Sequence, residues 1–179
     1  LRREEDQAFL LIDPATRRNL ELVETLEGQR RGSLLDVIDH SVTAAGGRKI
    51  AQWLLSPLTR IPAIAARQDA IAFLKDEDRL RDSLRAALKR APDMGRALTR
   101  LALGRGGPRD LGALRDGLAA GFALPQMQGL TQPPSEIVSA LEHFAAMDGP
   151  LRALAARLDA LLELELPLIA RDGGFIRPQ

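Results

Sequence analysis

The strongest constraint on the fold is leucine at helical spacing. One repeat consists of Leu80, Leu84 and Leu88, and a second of Leu151, Leu154, Leu158, Leu161 and Leu162. This spacing places apolar side chains on one face of an α-helix. Pairs of helix-breaking residues separate the predicted helices at Ser56-Pro57, Ala91-Pro92 and Gly149-Pro150. We therefore predict an all-α chain, a bundle of mostly antiparallel helices that includes late helices at about 135–147 and 150–166.

Capping residues indicate where several helices begin. Asp13 precedes Pro14, so its carboxylate can accept from free backbone N–H groups while proline occupies the first helical position. Ser33 is followed by Asp36 at the position of a capping box. Pro108 restarts a helix after a glycine-rich loop.

The N-terminal region carries two further expectations. Leu20, Val23 and Leu26 share a helical face, which predicts that the helix from residue 14 continues to a stop at Gly28. The apolar run 8–12 is short enough to be one strand or a buried connector, and its length does not decide between them.

The sequence contains no pattern that assigns a catalytic, cofactor or metal site. It has no cysteine and only His40 and His143, so a thiolate metal site is excluded and a histidine cluster is not expected. The nearest string to a phosphate-binding loop, 46–50, lacks the required spacing and hydroxyl residue. A Gly-x-Ser-x-Gly elbow is also absent. We expect this segment not to be an enzyme.

Composition weakens the case for strong nucleic-acid or membrane binding. The chain has 25 basic and 24 acidic residues, a net charge of +1, and only 3% aromatic residues. Long-range attraction to phosphate is therefore weak unless charge is sorted locally, and base-stacking platforms are scarce. No apolar run approaches the roughly 20 residues of a membrane span, and the N-terminus lacks a signal-peptide pattern.

The glycine-rich loop 104–108 is the best candidate for a nucleic-acid contact. Arg105 and Arg109 flank it, and exposed arginines can bind phosphates while glycine allows a close backbone approach. We predict a weak, salt-sensitive DNA contact there. The same pattern is also typical of a solvated helix face with local ion pairs, and that alternative stays open.

Three ordered segments carry a family resemblance. The first covers 13–74 and includes TRRNLEL, SLLDVID and TAAGGRKIAQWLLSPL; the second is DMGRALTRLALGRGGPRDLGAL; the third is RDGGFIRP. Together they resemble the core (lever) domain of the MutS family of DNA mismatch-recognition ATPases. Ala45, Arg60 and Gly95 depart from residues common in that family, and glycine in place of glutamate costs about 0.5–1 kcal/mol of helix stability.

The resemblance implies a division and a mechanical role. Residues 1–12 would be a connector remnant, 13–170 the helical lever, and 171–179 the truncated start of a clamp domain. The lever would transmit changes between mismatched-DNA binding and ATPase domains that this chain lacks. ATP and Mg would belong to the full-length parent, whose partners would be mismatched duplex DNA, neighbouring connector, clamp and ATPase domains, and a second copy in a homodimer. A cytoplasmic, nucleoid-associated bacterial location is implied.

The alternative hypothesis is a stand-alone helical protein-interaction module. It rests on the apolar face around Leu158 and Leu162, which could meet a partner helix or a second copy. The hypothesis that the chain is an enzyme with an unrecognised active site is the weakest, because no catalytic pattern in the sequence supports it.

Overall fold

The computed structural model describes residues 8–146 and 148–178, and within these the chain is all-α, as predicted. Its contacts divide it into two compact units, Leu1–Ala72 and Phe73–Gln179. The helices are α1 (Pro14–Asn19), α2 (Leu34–Ile38), α3 (Ala44–Leu55), α4 (Ile61–Asp76), α5 (Asp78–Arg90), α6 (Met94–Ala102), α7 (Pro108–Ala123), α8 (Ser135–Ala146) and α9 (Asp148–Leu161). Two 3₁₀ turns lie at Leu124–Gln126 and Ala170–Asp172.

The predicted caps of the first unit are present. The Asp13 Oδ1 accepts from the Thr16 N–H at 3.0 Å, and the Ser33 Oγ accepts from the Asp36 N–H at 3.2 Å. The Asp36 carboxylate accepts from the N–H of Gly32, one residue before the expected partner. These hydrogen bonds satisfy backbone donors that have no partner inside the helix.

The expected continuation of α1 to Gly28 is wrong, because the helix ends at Asn19. Glu21 has a positive φ of 49°, which is incompatible with a right-handed helix. The carbonyls of Glu21 and Leu22 instead accept from the first N–H groups of α2, those of Leu34 at 3.0 Å and Leu35 at 2.9 Å. Leu22 is buried, so this tertiary pairing replaces the expected helical one.

The run 8–12 is neither a strand nor a buried connector. Phe9 forms an isolated bridge with Leu58, supported by a 2.8 Å hydrogen bond from the Leu10 N–H to the Pro57 carbonyl. The large side chains at positions 9, 10 and 11 are exposed. No strand forms within residues 8–146 and 148–178.

In the second unit, α7 packs against α6 and α9. α7 carries buried glycines, among them Gly112, Gly117 and Gly121. An ideal Cβ on Gly117 would lie 2.3 Å from the Met94 Cγ, so the α6 side chain occupies the space that any larger residue would need. Glycine therefore allows the two helices to come close.

The last helix is shorter than predicted, and it starts earlier. It ends at Leu161 rather than 166, because the chain folds back and the Arg177 N–H donates to the Leu161 carbonyl at 2.9 Å. Gly149-Pro150 lies in its first turn rather than between two helices. Leu158 and Leu162 are 9% and 1% exposed. The apolar face considered for an interaction module is therefore internal, and that expectation is wrong.

Candidate nucleic-acid interface

The glycine-rich loop between α6 and α7 is shaped by its own chain. Gly104 has a φ of 67°, and nothing lies near its ideal Cβ. The ideal Cβ of Gly106 would lie 2.8 Å from the Leu101 Cα, and that of Gly107 would lie 2.9 Å from the Leu168 carbonyl oxygen. The close approaches at Gly106 and Gly107 are therefore made to protein atoms.

The structure places both predicted arginines at this loop. Arg105 is exposed, and its carbonyl accepts from the Arg100 guanidinium at 3.0 Å. Arg109 is the second residue of α7, also exposed, and its Nε donates to the Leu166 carbonyl at 3.1 Å. Arg109 is therefore an exposed residue that also has a hydrogen bond to the main chain.

Asp110 fixes the start of α7. Its carboxylate accepts from the Gly107 N–H at 2.9 Å and from the Arg100 Nε at 3.2 Å. The Gly107 hydrogen bond and then the Arg100 guanidinium hold the pKa of Asp110 below its usual value, against the opposing effect of burial. Arg100 is therefore partly neutralised by an acid that stays ionised at neutral pH.

An open cleft of about 350 Å³ lies between α6 and α7. It is lined by Asp93, Arg96, Ala97, Arg100, Arg109, Asp110, Ala113 and Leu168. Asp93 caps α6 by accepting from the Arg96 N–H at 3.1 Å, while Asp110 caps α7. Three guanidinium groups thus share a cleft with two carboxylates that already serve helix ends, and this arrangement could bind an oxyanion such as phosphate.

The structure brings Arg96, rather than Arg105, together with Arg109. Arg96 was not among the predicted site residues, although it lies four residues before Arg100 on α6 and therefore shares its helical face. That spacing was the signal that could have identified it.

Two arginines of the first unit make structural contacts with their own chain. Arg30 forms an ion pair with Asp39, whose pKa is lowered first by the Ser41 hydroxyl, then by the Ser41 N–H and by Arg30. The Arg67 guanidinium stacks on the Trp53 ring at 3.7 Å from its centroid. These contacts are typical of packing, so Arg30 and Arg67 are not candidates for phosphate binding.

Metal binding and membrane spanning have no support among the residues described. Within them, no group of three or more His, Cys, Asp or Glu side chains is arranged to hold a metal ion. None of the described helices combines the length and hydropathy needed to cross a bilayer.

A model of the MutS domain III family matches residues 15–178. The DNA mismatch repair protein MutS of Rhodopseudomonas palustris (strain BisB18) is 56% identical over 176 residues, 98% of this chain and 19% of that protein. The same-named protein of Nitrobacter winogradskyi is 54% identical over 176 residues, 98% and 20% respectively. That of Rhizobium meliloti (strain 1021) is 50% identical over 175 residues, 98% and 19%. The chain spans about a fifth of the length of these curated relatives.

Proposed function

The chain belongs to the MutS domain III family, and we propose that it acts as the lever of a DNA mismatch repair protein. The segment comprises domain III without the ATPase domain of the full-length parent. In the proposed role it transmits conformational change between mismatched-DNA binding and ATP hydrolysis, both located elsewhere in that parent. The family match over residues 15–178 is the observation that carries the proposal.

Close packing in the second unit supports a mechanical role. A lever must pass displacement from one helix to the next with little loss, and tightly packed interfaces do so because they resist deformation. A methyl group at Gly117 or Gly112 would lie 2.3 Å from the side chain of Met94 or Leu166, so that side chain would have to move. Displacement of α7 would therefore move both neighbours.

The ligands, partners and location of the full-length parent are part of the same proposal. The parent would bind mismatched duplex DNA, use ATP and Mg in another domain, contact its connector and clamp domains, form a homodimer and work in the cytoplasm near the nucleoid. The division into a connector remnant at 1–12, a lever at 13–170 and a clamp start at 171–179 is part of it. Residues 1–7 and 179 lie outside the residues that the structure describes.

The lever role is tested by loosening one helix contact in the complete MutS protein that contains this domain. We expect Gly117→Val to displace Met94 and to reduce the ratio of ATP turnover with mismatched duplex to that with matched duplex. Basal turnover and DNA affinity should change much less, because the substitution lies in neither site. Gly149→Ala is the matched control, since nothing lies within 4 Å of its ideal Cβ. An unchanged ratio in a folded Gly117→Val protein contradicts the lever role.

We also propose a weak, salt-sensitive DNA phosphate contact by Arg105 and Arg109. Duplex DNA is titrated against the 179-residue chain at two salt concentrations, with wild type and an Arg105→Ala/Arg109→Ala variant. The salt slope should fall by about 1–2, because each lost phosphate contact lowers it by roughly 0.9. Arg79→Ala/Arg90→Ala removes the same charge from α5 and should lower it less.

Two results would overturn this DNA contact model. Unchanged binding by the Arg105→Ala/Arg109→Ala variant would remove these arginines from the interface. Nanomolar discrimination of a mismatched from a matched duplex by this chain alone would also contradict the model, since the mismatch reader is proposed to lie in another domain.

A further inference from the structure

Two arginines of α7 hold the segment that follows α9. We call residues 163–168 the strap. The Arg115 Nη1 donates to the Glu163 carbonyl at 3.1 Å, and the Arg109 Nε donates to the Leu166 carbonyl at 3.1 Å. The Arg115 side chain is only 11% exposed, so its contact is shielded from competing water. The strap is thus attached to α7 at two points.

Gly112 lies between these two arginines on the same face of α7. Positions 109, 112 and 115 are spaced by three residues, which keeps them on one side of a helix. An ideal Cβ on Gly112 would lie 2.3 Å from the Leu166 Cδ1, so the leucine side chain occupies the gap that glycine leaves. We call Arg109, Gly112 and Arg115 the seat of the strap.

The strap is joined in turn to the tail of the chain. After two glycines with positive φ, Gly173 and Gly174, the backbone returns toward the end of α9. The Glu163 N–H then donates to the Phe175 carbonyl at 3.0 Å, while the Glu163 carbonyl accepts from Arg115. A single peptide segment therefore links α7 to residues 175–177.

We propose that Gly112 and Arg115 are positioning residues that couple α7 to the chain beyond residue 178. The inference rests on the proposed lever role and names the point where the lever transfers its movement. If α7 shifts, the seat moves the strap, and the strap moves the paired tail. A charged donor on a backbone carbonyl suits this task, because it is a strong hydrogen bond and independent of the strap's side chains.

The test combines hydrogen exchange with turnover in the complete MutS protein that contains this domain. Two amides report on the seat, those of Glu163 and Arg177, because both hold the tail to the end of α9. In Arg115→Met their exchange should rise about ten-fold or more, since a hydrogen bond to a charged group contributes at least that factor to a local opening equilibrium. The mismatch-to-matched turnover ratio should fall with it.

Two further variants keep the result interpretable. Arg115→Lys retains one charged donor and should restore part of both the protection and the turnover ratio. Arg157→Met removes an exposed arginine from α9 and should leave both readouts as in wild type. Far-UV circular dichroism verifies that each variant is folded.

The outcomes separate the seat from the lever. Unchanged hydrogen exchange at the Glu163 and Arg177 amides in a folded Arg115→Met protein contradicts the proposal that Arg115 holds the strap. Faster exchange of these amides in Arg115→Met with an unchanged mismatch-to-matched turnover ratio contradicts the positioning role of Arg115. This holds even if Gly117→Val lowers the ratio and so supports the lever role. If neither Arg115→Met nor Gly117→Val alters the ratio, the lever role fails, and the coupling assigned to the seat fails with it.

Discussion

Replacement of Gly106 by alanine should destabilise the second unit by about 1–3 kcal/mol, the usual cost of overpacking. The ideal Cβ would lie 2.5 Å from the Leu101 Cδ2, 2.7 Å from its Cγ and 2.8 Å from its Cα. Carbon atoms in contact prefer about 3.5–4.0 Å, so each of these distances is short by roughly 1 Å. The leucine side chain can rotate away, but its Cα belongs to the backbone of α6. The loop itself must therefore shift.

Two optical signals localise the effect. Far-UV circular dichroism follows the helices of both units, whereas Trp53 is the single tryptophan and lies in the first unit. In urea, the dichroism transition of Gly106→Ala should move to lower denaturant, with its slope retained. For a chain of this size the thermal midpoint should fall by about 2–12 °C. Trp53 fluorescence reports whether the first unit is affected.

Gly149→Ala is the matched control for the loop substitution. This glycine lies in the first turn of α9, and nothing lies within 4 Å of its ideal Cβ. Alanine is favoured over glycine in a helix by up to about 1 kcal/mol, so this variant should be slightly more stable. A dichroism midpoint for Gly106→Ala equal to that of wild type, or raised like that of the control, would refute the argument from the close approach to Leu101.

Three further predictions concern the core, a cap and an acid. Leu162→Ala should lower the free energy of unfolding by about 2–5 kcal/mol, measured by urea denaturation, because this side chain is 1% exposed; a loss below 1 kcal/mol would contradict its place in the core. Ser33→Ala should cost about 1–2 kcal/mol by Trp53 fluorescence, since its hydroxyl caps α2 and also donates to the Arg30 carbonyl; an unchanged midpoint would argue against the cap. Because the pKa of Asp110 is lowered by folding, its contribution to stability is present above the unfolded value of about 3.9 and is lost as the pH falls below it. Asp110→Asn should therefore flatten the stability profile below about pH 4 relative to wild type and to an Asp159→Asn control; identical profiles would contradict this.

Features that depend on near neighbours in sequence were predictable. The caps at Asp13 and Ser33 were identified correctly because the acceptor and the donor are three residues apart. The helix start at Pro108 was also correct, because proline favours the first helical position. The leucine repeats likewise predicted the all-α fold.

Features that depend on distant partners were not predictable. The helix α1 stops early because Glu21 and Leu22 accept from α2, and no local pattern announces that pairing. Arg109 lies beside the loop by its position in the sequence, but the partner of its Nε, the Leu166 carbonyl, is 57 residues further along the chain. The glycines of the loop suggest a close approach of phosphate to the backbone. In the structure, however, Gly106 and Gly107 lie close to Leu101 and Leu168 of their own chain.

The hydrogen bonds from α7 to the strap have a consequence for mutational tolerance. Arg109 and Arg115 donate to main-chain carbonyls, which every amino acid possesses. Residues other than proline at position 163 therefore keep the hydrogen bond from Arg115, and they lose only the Glu163 carboxylate that lies 3.9 Å from the Arg177 Nε. The arginines and Gly112 are the constrained half of the contact. A saturation library should show many accepted residues at position 163 and few at position 115.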